Sequence, residues 1–333
     1  MAKFRILHAP SLVCQKVLQH LELRELALLS FLSKRSSSLI AAAGAKLDIE
    51  LSVDFKNQIL QMAIENDKME IHVGVLAKPQ GVTQTTINGY STPVVFKPKE
   101  IWVHWNNNDN VRDGVQIVAD HIVSLHRCKV FEIKVPFEEE EFEKRTQWIF
   151  NKQKEVEKFF VVQGDSEDET ELQKVLEELV VKTELIIQQK FSDSFQFSLP
   201  QRRWPKMIDI SHAHWFTLDH LRACDCERIR LVDSSLTNKD LDAFLREWRQ
   251  GEYGFLGYME IEGKKFNRER ILDIPIPIGN VQERSRFVTV HGHINFVNNP
   301  IIIRANDGSK SAAIRLTRVG DTVVRRFQMA VEY

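Results

Sequence analysis

The chain has 333 residues, of which 43% are hydrophobic and 27% charged, a composition typical of a globular protein of about two domains. Its 45 basic and 46 acidic residues leave a formal net charge of −1, which excludes a general electrostatic attraction to nucleic acid or to an anionic membrane. The apolar runs are shorter than a membrane span, which needs about 20 residues, and His8 and Pro10 interrupt the run that a signal peptide requires.

The cysteines do not form the spacing pattern of a disulfide framework. There are four: Cys14, Cys128, Cys224 and Cys226. We therefore expect a reducing compartment, the cytoplasm or the nucleus.

The amino-terminal segment, residues 10–40, predicts three short helices with more apolar surface than they can bury among themselves. Val13, Val17 and Leu21 recur every four residues, as on one face of an amphipathic helix. The run from Leu26 to Leu32 is apolar in nearly every direction, and residues 34–43 predict a third helix. Because a unit below about 40 residues rarely folds alone, the surplus surface faces either the rest of this chain or a second protein.

Three short motifs stand out in this segment. They are Ala9-Pro10-Ser11-Leu12-Val13, then Glu25-Leu26 with Leu28-Leu29-Ser30, then Ser33-Lys34-Arg35. Together they resemble the F-box, the module that docks substrate receptors onto the adaptor subunit of SCF ubiquitin ligases. The Ser-Lys-Arg version resembles nematode F-box proteins. Two positions depart from the pattern, because Ala9 stands where leucine is usual and Leu32 where cysteine is common.

The resemblance implies an F-box at residues 4–45 with a largely apolar adaptor-binding surface. The implied adaptor-binding residues are Pro10, Leu12, Val13, Val17, Leu26, Leu29, Leu32 and Ile40. The alternative is that these helices are ordinary core helices of one globular protein.

Residues 46–110 predict a β-rich connecting segment. Apolar and polar residues alternate over 47–53, and further strands are predicted at 69–76 and 94–96. Asn88-Gly89 is a turn signal that favours a hairpin.

Residues 111–333 predict strands alternating with helices. A helix at 112–127 precedes a strand at 130–135, and an acidic stretch at about 163–171 predicts an insertion before a helix at 172–180. Strands predicted to begin near residues 208, 229 and 258, with helices at 216–222 and 237–248 between them, are 21 and 29 residues apart.

The intervals match the period of roughly 20–29 residues in leucine-rich repeats. Residues 300–331 change character and predict an antiparallel β-meander. The expected fold class is therefore α+β or α/β, with a three-helix F-box followed by a leucine-rich-repeat-like domain that ends in a meander.

Three further motifs lie in this half: the run from Ser234 to Leu241, Phe244-Leu245-x-x-Trp248 and Tyr258-Met259-Glu260-Ile261. Together they resemble the nematode F-box-associated domain of the second type. Gly257-Tyr258-Met259 departs from the leucine usual at that strand start. The resemblance implies a substrate-recruiting domain over residues 111–333, although the residues that bind the substrate are not predicted.

The sharpest rival interpretation is a metal-dependent enzyme. Three imidazoles and two thiols fall within a short stretch, and zinc accepts both ligand types. They are His212, His214, His220, Cys224 and Cys226. Their spacing matches no common zinc motif, and no phosphate-binding loop or nucleophile elbow is present.

We therefore predict no catalytic residue, metal or cofactor, and interpret the chain as a non-enzymatic substrate receptor of an SCF-type ligase. Its expected partners are the ligase adaptor and an unidentified protein substrate. A leucine-rich-repeat-like interaction module without a ligase role is the first alternative, and the metal-dependent enzyme is the second.

Overall fold

The computed structural model describes residues 10–332 with the exception of 19, 33, 44–47, 66, 76–80, 106–109, 139, 167, 198–203, 267–285, 291–292, 298–299 and 320–322. The chain divides into two units, Met1–Pro136 and Phe137–Tyr333, and each mixes helices with a sheet. Over the described ranges, no helix combines the length and the apolar composition that crossing a bilayer requires.

The first unit contains helices α1 to α4 and strands β1 to β7. The helices are α1 (Ser11–Leu18), α2 (Leu23–Leu32), α3 (Lys34–Ala43) and α4 (Val111–His126). The strands are β1 (Glu50–Asp54), β2 (Ile59–Ile64), β3 (Asp67–Gly74), β4 (Val82–Ile87), β5 (Tyr90–Phe96), β6 (Glu100–His104) and β7 (Val130–Pro136). Their order is β7-β1-β2-β3-β6-β5-β4, in which β1 runs parallel to β7 and β3 parallel to β6.

The predicted hairpin is confirmed at β4 and β5, which pair antiparallel through Asn88 and Gly89. Both turn residues have positive φ, 47° and 89°, as a type I′ turn requires and as asparagine followed by glycine favours. The predicted helix at 112–127 and strand at 130–135 are found as α4 and β7.

The three amino-terminal helices pack against the later part of the first unit. Leu18, Leu26 and Ile40 form a buried cluster with Leu125 of α4, and α2 lies against β2, β3 and β4. The hydroxyl of Thr85 on β4 donates to the carbonyl oxygen of Phe31 at the end of α2. The chain itself therefore covers part of the apolar surplus that the sequence predicts.

The second unit contains α5 (Glu141–Lys152), β8 (Glu155–Val162), α6 (Glu169–Glu178), β9 (Val180–Ile187), β10 (Met207–Ile210), α7 (Leu218–Ala223), β11 (Arg228–Ser234), α8 (Asn238–Arg249) and β12 (Tyr258–Gly263). It continues with β13 (Arg286–Val290), β14 (His293–Val297), β15 (Ile301–Arg304), β16 (Ser311–Arg318) and β17 (Arg325–Glu332). The sheet order is β8-β9-β10-β11-β12-β17-β16-β15, and β13 pairs with β14 as a separate hairpin.

Strands β8 to β12 form a parallel ladder, and the meander β15-β16-β17 joins it antiparallel at β12. From β8 to β12, each strand lies beside the strand that precedes it in the sequence, so the sequence order is also the order across the sheet. Since β-strand crossovers are almost always right-handed, the connecting helices lie on one face. The opposite face of the sheet is formed by every second side chain of each strand.

The strands and helices predicted between residues 207 and 261, and the meander after them, are confirmed as elements. The stretch from 137 to 187 departs from prediction, because α5, β8 and β9 have no counterpart among the expected elements. Val180 begins β9 and does not end a helix, since α6 stops at Glu178. The predicted acidic insertion forms the connection from β8 to α6 and the first turn of α6.

Candidate functional site

The residues predicted to bind an adaptor divide into an outward and an inward set. Leu12 and Val13 on α1 are 67% and 43% exposed, and Leu32 at the end of α2 is 49% exposed. Pro10, just before α1, is also exposed. Exposed leucine and valine side chains on adjacent helix positions are the chemistry that a largely apolar interface uses.

Two predicted contact residues lie in the interior. Leu26 is 1% exposed and Ile40 is 6% exposed, and both contact the buried cluster described above. Their side chains stabilise the first unit and cannot reach a partner in this conformation. Val17 and Leu29 are half-buried. The candidate docking surface is therefore Pro10, Leu12, Val13 and Leu32, with Val17 and Leu29 partly accessible.

Two of the three histidines proposed as metal ligands have other roles. His220 Nδ1 accepts from the backbone N–H of Thr217 at 2.9 Å, which closes a capping box at the start of α7, and its Nε2 donates to the carbonyl oxygen of Phe197 at 2.9 Å. His214 Nε2 donates to the carbonyl oxygen of Ser192 at 3.0 Å. His212 Nδ1 lies 4.0 Å from Asp233 Oδ2. His220 and His214 are therefore engaged in separate hydrogen bonds, whereas Nδ1 of His212 has no hydrogen-bond partner within the described structure.

Both thiols of the same stretch are buried and lie close together. Cys224 is 7% exposed and Cys226 is 2% exposed. Burial, together with the neighbouring Cys226 thiol, raises the pKa of Cys224 well above its ordinary value, so this thiol is neutral near neutral pH. Within the described ranges, no group of three or more histidine, cysteine or acidic residues could hold a metal ion, and the metal-site alternative loses its ligand set.

The face of the second unit's sheet opposite the crossover helices carries a line of charged side chains, which we call the polar face. Asp209, Arg230 and Glu260 stand in register on β10, β11 and β12. Arg230 Nη1 donates to Asp209 Oδ1 at 3.0 Å, and its Nε donates to Glu260 Oε1 at 3.3 Å. Partial burial lowers the pKa of Arg230, but the two carboxylates outweigh it and hold that pKa above its ordinary value.

The meander extends the same network. Gln328 Nε2 on β17 donates to Glu260 Oε2 at 3.0 Å, and the hydroxyl of Tyr258 donates to the same oxygen at 2.8 Å. Arg326 Nε donates to Glu262 Oε1 at 2.7 Å. Glu260 and Glu262 are 8% and 7% exposed, so these bonds compensate carboxylates that have lost most of their hydration.

The β13–β14 hairpin lies on part of the polar face. Val290 and Val297 of the hairpin pack with Tyr258, Ala313 and Ala330 of the sheet. Arg228 Nε donates to Asn295 Oδ1 at 3.3 Å, and His293 Nε2 lies 3.8 Å from Glu184 Oε1. The hairpin therefore places side chains of β13 and β14 against the charged strand surface.

Sequence reasoning missed the polar face, although one signal was available. Within the predicted strands, Asp209, Arg230 and Glu260 each lie between two apolar residues. Charged residues at equivalent positions of successive parallel strands indicate a cross-strand row. The strand register that aligns Asp209, Arg230 and Glu260 was not predictable from the intervals between the strand starts alone.

The comparison with protein families gives a match in the second unit. Residues 193–261 match the family described as F-box associated. The matched residues run from the segment before β10 to the fourth residue of β12, so they include α7, α8 and the strands that carry Asp209 and Arg230. The match supports an F-box-associated domain in this part of the chain.

Two curated proteins of Caenorhabditis elegans are similar over short regions. The E3 ubiquitin-protein ligase hecw-1 is 32% identical over 90 residues, 25% of this chain and 7% of that protein. The Skn-1 dependent zygotic transcript 15 protein is 38% identical over 69 residues, 20% of each chain. The chain thus spans only a small fraction of these relatives. No solved structure matches.

Proposed function

We propose that this protein is a non-enzymatic substrate-recognition subunit of an SCF-type ubiquitin ligase. The first unit docks the ligase adaptor through an F-box, and the second unit holds a protein substrate. Such a subunit performs no bond chemistry. It raises the effective concentration of substrate lysines near the ubiquitin-loaded enzyme.

The observation that carries the proposal is the F-box associated match over residues 193–261, combined with an amino-terminal segment whose motifs resemble the F-box. Exposure supports the docking half, because Leu12, Val13 and Leu32 keep apolar side chains in solvent. The polar face supports the recruiting half, because the side chains of Arg230 and Asp209 keep 34% and 19% exposure and can add specificity to a partner contact. We also propose that the second unit is a leucine-rich-repeat-like domain.

The test is co-purification of the full chain with the ligase adaptor. We expect the double variant Leu12→Asp/Val13→Asp to lose the adaptor, because two charges would enter an apolar interface. The exposure of Leu12 and Val13 predicts that the variant still folds. Leu26 is unsuitable for this purpose, since its replacement by aspartate would place a charge in the core.

The first unit offers a matched control. Val75 and Val82 are 68% and 43% exposed, nearly the values of Leu12 and Val13, but lie outside the three helices. The variant Val75→Asp/Val82→Asp makes the same chemical change and should keep the adaptor. Adaptor binding that survives Leu12→Asp/Val13→Asp, or that both double variants lose equally, contradicts the proposed docking surface.

A protein-interaction module without a ligase role is the second candidate. The parallel ladder β8–β12, with helices in its crossovers, favours it, because strand–helix ladders build extended binding surfaces. A wild-type chain that is folded yet binds no adaptor would favour this candidate over the ligase subunit.

A further inference from the structure

A cavity of about 220 Å³ opens between the loops that lead into β11 and β12. All of its lining residues fall within the 193–261 match. The buried side chains of Cys226, Ile229 and Phe244 line it, whereas Phe255, which is 71% exposed, also borders it. A solvent-exposed phenylalanine beside a cavity is the combination that side-chain recognition uses.

The size of the cavity limits what it can hold. About 220 Å³ exceeds the roughly 150 Å³ that accommodates benzene in a protein interior. It lies below the roughly 300–1,000 Å³ of pockets for cofactors and drug-sized ligands. One large apolar side chain therefore fits the cavity better than a cofactor does.

The interior of the cavity is uncharged. Burial raises the pKa of the Cys224 thiol, so the thiol stays neutral at neutral pH, and a neutral cysteine behaves as a small polarisable hydrophobe. Ile229 and Phe244 add aliphatic and aromatic surface. This lining suits an apolar side chain.

The one arginine that lines the cavity is already compensated by carboxylates. Arg222 Nη2 lies 2.6 Å from Glu247 Oε1, and its Nη1 lies 3.3 Å from Asp219 Oδ1. Tyr253 also donates to Glu247. Arg222 is therefore a poor anchor for an acidic ligand.

Two further acidic residues line the cavity with their carboxylates available. Asp225 and Glu252 are both exposed. In the part of the chain that the structure describes, no hydrogen bond or ion pair reaches either carboxylate. Lys310 Nζ donates to the backbone carbonyl of Glu252 at 3.0 Å and is attracted by the Glu252 carboxylate without forming an ion pair with it. The surroundings of the cavity are therefore acidic, and the ring of Phe255 offers a face for a cation.

We propose that this cavity binds a peptide segment in which a lysine or arginine neighbours a large apolar residue. The apolar side chain enters the cavity, and the cation lies between the carboxylates of Asp225 and Glu252 beside the ring of Phe255. The inference rests on the proposed function, because it names the chemistry of the substrate segment that the second unit would recognise.

Selection from a phage-displayed library of short random peptides on the immobilised full chain tests the inference. We expect enrichment of sequences that pair a basic with a large apolar residue. The variant Asp225→Lys/Glu252→Lys should bind the selected peptides at least about tenfold more weakly, since two attractive charge contacts become repulsive. Added salt should weaken wild-type binding.

The control variant is Asp165→Lys/Asp193→Lys, which makes the same charge change at exposed acidic residues of the second unit outside the cavity lining. It should bind like wild type. Phe255→Ala should weaken binding, and Phe255→Tyr should preserve it. Enrichment of acidic or purely apolar peptides, no enrichment at all, or undiminished binding by the Asp225→Lys/Glu252→Lys variant overturns the inference.

The experiments distinguish a failure of the proposed ligase role from a failure of the proposed peptide binding. Loss of peptide binding while the chain still co-purifies with the adaptor overturns the cavity alone. Peptide binding by a folded chain that captures no adaptor overturns the ligase role alone.

Discussion

His121 Nε2 on α4 donates a hydrogen bond of 3.1 Å to the backbone carbonyl oxygen of Ser30 on α2. Both residues are buried, at 8% and 2% exposure. The bond joins the amino-terminal helices to a helix that follows six strands later in the first unit. The three helices are therefore an integrated part of that unit.

Deletion of residues 1–45 should consequently destabilise what remains of the first unit. Leu125 would lose its contacts with Leu18, Leu26 and Ile40, and His121 would lose its acceptor. Urea unfolding followed by circular dichroism measures the effect, and we expect a lower midpoint and faster proteolysis of residues 46–136. An unchanged midpoint would show that the helices form an independent domain.

Leu26 and Leu12 should differ sharply when each is replaced by alanine. Leu26 is 1% exposed and Leu12 is 67% exposed. Truncation of a buried leucine costs about 2–5 kcal/mol of unfolding free energy, whereas an exposed substitution usually changes it by less than about 0.5 kcal/mol. Denaturant titration of both variants measures the difference. Equal losses would place Leu12 in the core.

The stability of the first unit should fall with acidification through His126. This side chain is 4% exposed, and neither ring nitrogen has a hydrogen-bond partner within the described structure. Burial, with a smaller contribution from His121, lowers the pKa of His126 to about 4. An unfolded histidine has a pKa near 6.5.

Between these two values the unfolded chain binds the additional proton, so the free energy of unfolding decreases as the pH falls from about 6.5 to about 4. The expected loss reaches about 3 kcal/mol at the lower end. His126→Leu should flatten this part of the curve of unfolding free energy against pH, and His20→Asn, at an exposed position, should leave it unchanged. The same slope in His126→Leu as in wild type would assign the acid sensitivity to other groups.

Gly114→Ala should destabilise the protein although alanine is the better helix former. Replacing a glycine in a helix interior gains about 1 kcal/mol of helix propensity. A Cβ at this position would lie 2.5 Å from Cδ2 of the buried Trp105 ring, and overpacking typically costs about 1–3 kcal/mol. The steric clash with Trp105 should therefore outweigh the gain in helix propensity.

Thermal unfolding of Gly114→Ala, compared with Gly74→Ala, tests this balance. A Cβ added at Gly74 would meet nothing within 4 Å, so its replacement should be tolerated. A melting temperature for Gly114→Ala at or above that of the wild type would mean that Trp105 can move aside.

Local chemistry made parts of the fold predictable. Thr237 and Asp240 form the capping box that their spacing predicts, because Asp240 Oδ2 accepts from the Thr237 backbone N–H at 2.7 Å and the Asp240 N–H donates to Thr237 Oγ1 at 3.4 Å. Asn88 and Gly89 likewise need only their own backbone preferences to form a turn.

Long-range contacts decided what the sequence left open. The F-box resemblance implies the same adaptor-binding role for Leu12 and Leu26, but Leu26 packs in a buried cluster with Leu125 of α4, whereas Leu12 is exposed. Arg230 similarly shows no sign of its partners until the strand register sets it between Asp209 and Glu260. The sequence motifs therefore give one set of candidate docking residues, but the division of that set into exposed and buried side chains depends on contacts with later elements of the first unit.

Because the cysteines are buried, their reaction with a thiol reagent can report local opening of the fold. Cys14 and Cys128 belong to the first unit, Cys224 and Cys226 to the second, and all four are at most 9% exposed. A thiol-reactive mass tag can therefore label Cys14 and Cys128 only when the first unit opens, and Cys224 and Cys226 only when the tag enters the cavity that they line. Digestion and mass spectrometry after timed labelling would yield separate opening rates for the two halves of one unmodified chain.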